Sequence, residues 1–166
     1  MADDSTPHHA VRIERILGAP PSTIWQMWTT PEHFQGWYGP AGATVVVTQL
    51  DLTVGGTRLV RMEVMTPNGP MTMWFTGTHL EVVENKRLVY TESMCDESGR
   101  ILAPADMGMP ADHPVLTTIT IDLDDHDRGT KMVIVHAGIP AESPGAAGWT
   151  MAFDKLDSYL GAQSAT

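Results

Sequence analysis

Between residues 44 and 137 the chain alternates short β-branched stretches with turn signals, and that rhythm leaves few folds open. TVVVTQLDL (44–52), TRLVRMEVM (57–65), MTMWFTGTHLEVV (71–83), RLVYTESM (87–94), VLTTITIDL (115–123) and TKMVIVHA (130–137) each read as a strand. Gly55-Gly56, Pro67-Asn68-Gly69-Pro70, Glu84-Asn85-Lys86 and the segment 124–129 separate them with turn residues. Gly77, inside the third stretch, marks a bulge or a sharp bend. An earlier strand, AVRIERIL (10–17), sets Val11, Ile13 and Arg15 against Arg12, Glu14 and Ile16. Two short helices follow it. Ala19-Pro20-Pro21 pre-sets entry to the first, which runs over 22–29 with Ile24, Trp25 and Trp28 as its apolar stripe. Thr30 caps the second, with Pro31 at its first position, and Gly36, Gly39 and Gly42 end it. The chain closes on a helix over 144–160. Its Trp149, Phe153, Leu156 and Leu160 share one face, and Gly161 ends it. One strand, two short helices, about six strands and one long helix make an α+β chain.

Composition narrows the partners. The 166 residues fit one domain over 10–162, behind a polar, frayed tail at 1–9 whose His8 and His9 make a poor metal site. The single cysteine, Cys95, excludes an internal disulfide and suits a reducing cytoplasm. Asp96 and Glu97 beside it would raise its pKa, so it is a poor nucleophile. The N-terminal segment lacks a basic stretch followed by an apolar one, so no leader is expected, and no run reaches the ~20 apolar residues of a membrane span. The net charge of −10 argues against nucleic acid and anionic membrane surfaces. No nucleophile elbow, phosphate cradle, zinc-protease motif or paired-cysteine motif is present, and no cofactor is expected. Asp122, Asp124, Asp125 and Asp127 resemble a calcium loop, but the glycine comes too late and no glutamate closes it; a solvated turn, with no metal, is the reading.

The order of elements carries recognisable wording. Ala19, Pro20, Pro21, Trp25, Thr30, Pro31, Trp37, Gly39 and Pro40 resemble the opening motif of the family named after the activator of the heat-shock-protein-90 ATPase. Gly55-Gly56, Pro67-Asn68-Gly69, the segment Phe75 to Val82, the segment Gly129 to His136, and Gly148-Trp149 with Phe153-Asp154-Lys155-Leu156 are similar to its later motifs. The likeness runs from about residue 11 to 160. It implies the START-like, polyketide-cyclase-like superfamily and its helix-grip fold: a curved antiparallel sheet of six to seven strands around the long C-terminal helix, with a cavity between them. One departure is Arg58, where relatives carry an aromatic; it would place a charge near one end of the pocket. Another is the long loop 95–114, with Met107 and Met109, which is either a lid or a plain surface loop.

Alternation then nominates site residues. Met132, Ile134 and His136 share a face, as do Met73, Phe75, Gly77, His79 and Glu81. On concave faces, His136, His79 and Glu81 would line an apolar cavity and either orient a ligand or act as acid and base. The alternative is that each imidazole satisfies a backbone group. Tyr90 would add a hydroxyl. Trp28, Met62, Met73, Phe75, Met132, Trp149 and Phe153 are either pocket wall or core. The first functional expectation is binding of a small hydrophobic or aromatic molecule. The second is a cyclase- or dehydratase-like enzyme. The third is a chaperone-interacting module, ranked last because relatives that stimulate the chaperone carry an additional N-terminal domain. A homodimer is compatible with the fold.

Overall fold

The computed structural model describes residues 10–107, 114–139 and 144–164. Strand β1 (Ala10–Leu17) leads into α1 (Pro21–Thr29) and α2 (Pro31–Trp37). Strands β2 (Thr44–Leu50), β3 (Thr57–Thr66), β4 (Gly69–Val83), β5 (Arg87–Cys95), β6 (Thr117–His126) and β7 (Gly129–Ala137) follow, then α3 (Pro144–Ser164). The strands form one curved, unclosed antiparallel sheet in the order β1-β7-β6-β5-β4-β3-β2. Because β1 and β2 are opposite edges, the chain between them must cross the sheet, and α1 and α2 make that crossing. With α3 they cover the inner, concave face. This is the expected α+β helix-grip architecture.

The break between α1 and α2 follows from proline chemistry. Thr30 donates its N–H to Gln26 O and accepts from Phe34 N–H, so it closes one helix and opens the next. Pro31 has no N–H and sits where none is needed. Thr30 caps through its backbone alone; its side chain makes no cap hydrogen bond. Two glycine expectations are corrected. Gly36 lies inside α2 rather than ending it, where an added Cβ would strike the Tyr159 ring of α3. Gly161 keeps ordinary helical backbone and α3 continues to Ser164. Among the described residues, no helix is long and apolar enough to cross a membrane.

The inner face carries the core. Ile134, Ile121, Ile119, Leu88 and Met132 are almost wholly buried beneath Trp28, Phe34, Trp37 and the α3 residues Phe153 and Leu156. At about 1.5–3 kcal/mol for each large apolar side chain removed from water, this layer supplies most of the drive to fold. Gly77 fits the sheet because it lacks a side chain: a Cβ there would collide with the Thr91 carbonyl of β5. Thr78 N–H accordingly turns to Thr91 Oγ1, 3.0 Å away, instead of a ladder carbonyl. Gly77→Ala is expected to destabilise the protein by about 1–3 kcal/mol, because β4 and β5 must part to admit the methyl. Urea unfolding midpoints check this; an unchanged midpoint would contradict the close approach.

Candidate functional site

Inner-face residues come from every second position of neighbouring strands. Register places Arg58 of β3 opposite Gly77 of β4, Val60 opposite Phe75, and Met62 opposite Met73. His79 lies opposite Tyr90 of β5, Tyr90 opposite Ile119 of β6, and Ile119 opposite His136 of β7. One row across the sheet therefore holds His79, Tyr90, Ile119 and His136. Glu92 and Thr117 are partners in the next row.

His136 is the structural centre of one half. Trp149 Nε1–H of α3 donates to His136 Nδ1 at 3.0 Å. The other ring nitrogen must then carry the proton, and Nε2–H donates to Thr117 Oγ1 at 2.8 Å. Thr117 passes its own proton to the Glu92 carbonyl at 3.2 Å. Both ring nitrogens are thus occupied by protein, and burial lowers the imidazole pKa to about 4. Around this line, Trp149 and Phe153 pack against Trp28, with ring centroids 6.0 and 6.3 Å away, and Tyr38 meets Trp149 edge-on at 5.6 Å. Trp28 Nε1–H points at the Met132 sulfur, 3.3 Å away. Trp149 and Phe153, which the sequence leaves as either pocket wall or core, interlock with the aromatics that α1, α2 and the segment after them bring across the sheet. Lys155 completes the clamp by donating to the Tyr38, Gly39 and Pro40 carbonyls, each at 3.1 Å.

The other half, over β3–β5, is polar and incompletely paired. The Arg58 guanidinium, with the residue only 4% exposed, lies 3.7 Å from the centre of the Tyr90 ring and 5.3 Å from that of Phe34. The stem reaches across β4 because Gly77 leaves room for it. His79, wholly buried, directs Nδ1–H to the Gly56 carbonyl at 3.1 Å. That carbonyl also accepts His79 N–H, so the double-glycine turn fixes both ring and backbone. Burial first, and the Arg58 charge second, hold the His79 pKa below the ordinary value and the ring neutral. Among the described residues, four buried side-chain atoms have no hydrogen-bond partner: Arg58 Nη1, His79 Nε2 and the Tyr90 hydroxyl, which belong to this row and its neighbour, and Ser93 Oγ, on the strand position opposite Thr76. Tyr38 O–H reaches Glu92 Oε2 at 3.3 Å. Desolvation raises the pKa of Tyr38, Tyr90 and Glu92 alike.

Glu81 is a correction. It was expected beside His79, but β4 gains one residue between the pairs His79–Tyr90 and Glu81–Val89. This bulge at Leu80 reverses the alternation. Glu81 therefore emerges on the outer face, where its carboxylate meets Arg87 at 3.0 Å, and Arg87 in turn meets Asp122. Val82 takes the inner side instead, opposite Leu88. Met62 is buried beside Gly39, and Met73 and Phe75 are half-buried against the core. Of the two lid candidates, Met109 lies outside the described residues, and the backbone of Met107 ends a short 3-10 turn, Pro104–Met107. Cys95 is buried, and burial with Asp96 pushes its thiol up to about 11. Glu92, Thr117 and Tyr38 were not nominated. Glu92 and Thr117 had a signal, being polar residues in step with inner apolar ones. Clefts of about 560 Å³ between α2 and α3, and about 650 Å³ on the outer face near Arg87, involve none of Arg58, His79 or Tyr90.

Comparisons agree with this architecture. The family model for "Activator of Hsp90 ATPase homolog 1-like protein" matches residues 18–161. A crystal structure of a Chromobacterium violaceum protein, 25% identical, superposes with a TM-score of 0.71 over 90% of this chain and 96% of the other. A Mycobacterium smegmatis protein, 22% identical, gives 0.74 over 92% and 91%. A Silicibacter pomeroyi protein, 19% identical, gives 0.70 over 93% and 99%. No curated protein matches the chain.

The His136 line has a pH consequence. In the unfolded chain the ring takes up its proton near 6.5, and in the folded protein only near 4. On acidification the unfolded chain binds the proton first, so stability conferred by the neutral ring is complete above 6.5 and lost as the pH falls toward 4. His136→Phe should flatten the slope of stability against pH in that window, measured as urea midpoints; the slope that remains combines His79, which is lowered in the same direction, with Glu92, which burial raises and which acts with the opposite sign. An identical slope in wild type and variant would show that His136 is not the titrating group.

Proposed function

Because the chain belongs to the activator of Hsp90 ATPase homolog 1-like family, with its sheet wrapped about a C-terminal helix, we propose that it binds a small, largely apolar molecule on the inner face of that sheet. The observation that carries this reading is the trio of buried, unpartnered polar atoms on Arg58, His79 and Tyr90. Folded proteins leave few such groups, and three gathered on neighbouring strands of one face support a partner from outside the chain. The three sit on consecutive strands among Phe34, Val60 and Phe75, an apolar wall with a few polar groups, as ligand sites have.

Proton-transfer catalysis of the cyclase or dehydratase kind is the weaker reading. Glu81 faces outward and both nitrogens of His136 are engaged by protein, so His79 alone of the three acid–base candidates keeps a free nitrogen. A chaperone-interacting role has no specific observation behind it. A reducing, cytoplasmic setting belongs to the proposal, since the sole cysteine is a buried free thiol.

Native mass spectrometry of the protein purified from cells should show a bound molecule that denaturation releases. Nile red should bind at one site per chain. Phe75→Trp, which adds bulk to the inner face, should weaken the dye several-fold, whereas Leu80→Gln on the outer side should not. Absence of both an adduct and saturable dye binding would refute the proposal.

A further inference from the structure

Donor and acceptor bookkeeping at the unpartnered trio goes further, and it rests on the binding reading above. Arg58 Nη1 can only donate. His79 has spent its ring N–H on the Gly56 carbonyl, so its buried Nε2 can only accept. The Tyr90 hydroxyl can do either. A water could satisfy Tyr90 or His79, but no water supplies negative charge to Arg58.

The charge is the sharper constraint. No ion pair among the described residues involves Arg58. Glu92 attracts Arg58 through space, but burial disfavours its charged form, and its carboxylate takes the Tyr38 hydroxyl rather than a guanidinium N–H. Burying a cation without an ion pair is costly, and the faces of Tyr90 and Phe34 offset only part of that cost. An anion from outside the chain would offset the remainder. A single cation beside two neutral groups, walled by Phe34, Val60 and Phe75, suits one negative charge on an apolar body and does not suit a phosphate dianion.

We infer that the inner face takes an apolar carboxylic acid bearing a hydroxyl or N–H next to its carboxylate. The carboxylate docks on Arg58 and the Tyr90 hydroxyl. The neighbouring hydroxyl or N–H donates to His79 Nε2. Arg58 and His79 thereby divide the selection: Arg58 selects acid over neutral, and His79 selects the hydroxy acid over the plain acid.

Three probes separate these roles by calorimetry on the full chain: 2-hydroxydecanoate, decanoate and 1,2-decanediol. Wild type should prefer 2-hydroxydecanoate to the diol by roughly 10-fold or more, the scale of a charged hydrogen bond. Arg58→Met keeps the length and removes the charge, and it should bring acid and diol to near-equal affinity. His79→Leu should erase the preference for the hydroxy acid over decanoate while keeping acid over diol. Thermal melting reports whether each variant is folded, and the wild-type ranking stands without them. If the diol binds wild type as tightly as the acids, the acid proposal is overturned while the binding reading survives. If none of the three binds and Nile red also fails, the binding reading falls and takes this proposal with it.

Discussion

Trp149, His136 and Thr117 form a hydrogen-bonded line from α3 into the sheet, and the closed interior depends on it. Each link fixes the next. The indole has only a donor, so it sets the imidazole tautomer; the tautomer sets which nitrogen donates to Thr117; Thr117 hands the last proton to a β5 carbonyl. Removing one member strands the others, at about 1–3 kcal/mol per buried orphan. With Trp149 held, its indole and Phe153 lock into Trp28, and Lys155 ties α3 to the segment after α2. On the far side, Arg15 of β1 reaches Asp154 and Asp157 of α3, an exposed pair of contacts that contributes little beyond orientation.

That closure makes the other half of the inner face consequential. Arg58, His79 and Tyr90 are cut off from bulk solvent, so their missing partners matter in a way they would not at the surface. Within one inner face, then, similar buried polar chemistry occurs in two states. His136 is saturated by protein and serves as a fastener. His79, one row position away from Tyr90, is half saturated and remains receptive. The difference lies in what faces each ring: Trp149 and Thr117 for one, the backbone of the β2–β3 turn at Gly56 and Asp51 for the other, with Nε2 left unpaired.

Much of this was legible in the sequence, and what was not has a definite cause. Spacings of 4, 3 and 4 between Trp149, Phe153, Leu156 and Leu160 placed them on one helical face, and all four are buried. Period-two reading put His79 on the face of Phe75 and His136 on that of Ile134, and both imidazoles are buried. It misplaced Glu81 because a bulge is decided by pairing: Val82 gains by facing Leu88 and the core, and the extra residue at Leu80 makes that possible. The family resemblance put the Arg58 charge near one end of the pocket, but its burial depends on the empty space over Gly77 in the next strand, which only the register discloses. The filling of the hollow beside Trp149 was hidden for a similar reason. It takes Trp28, Trp37 and Tyr38, residues more than a hundred positions away, to occupy it.

The central claim is that the Arg58 guanidinium is completed from outside the chain. The most direct measurement is a high-resolution crystal structure of the protein as purified from cells. The account predicts density for a non-protein molecule with an anionic oxygen within hydrogen-bond distance of Arg58 Nη1 and a second polar atom at His79 Nε2. A structure in which Arg58 pairs instead with the Glu92 carboxylate, with apolar side chains closed over His79 and Tyr90, would contradict it.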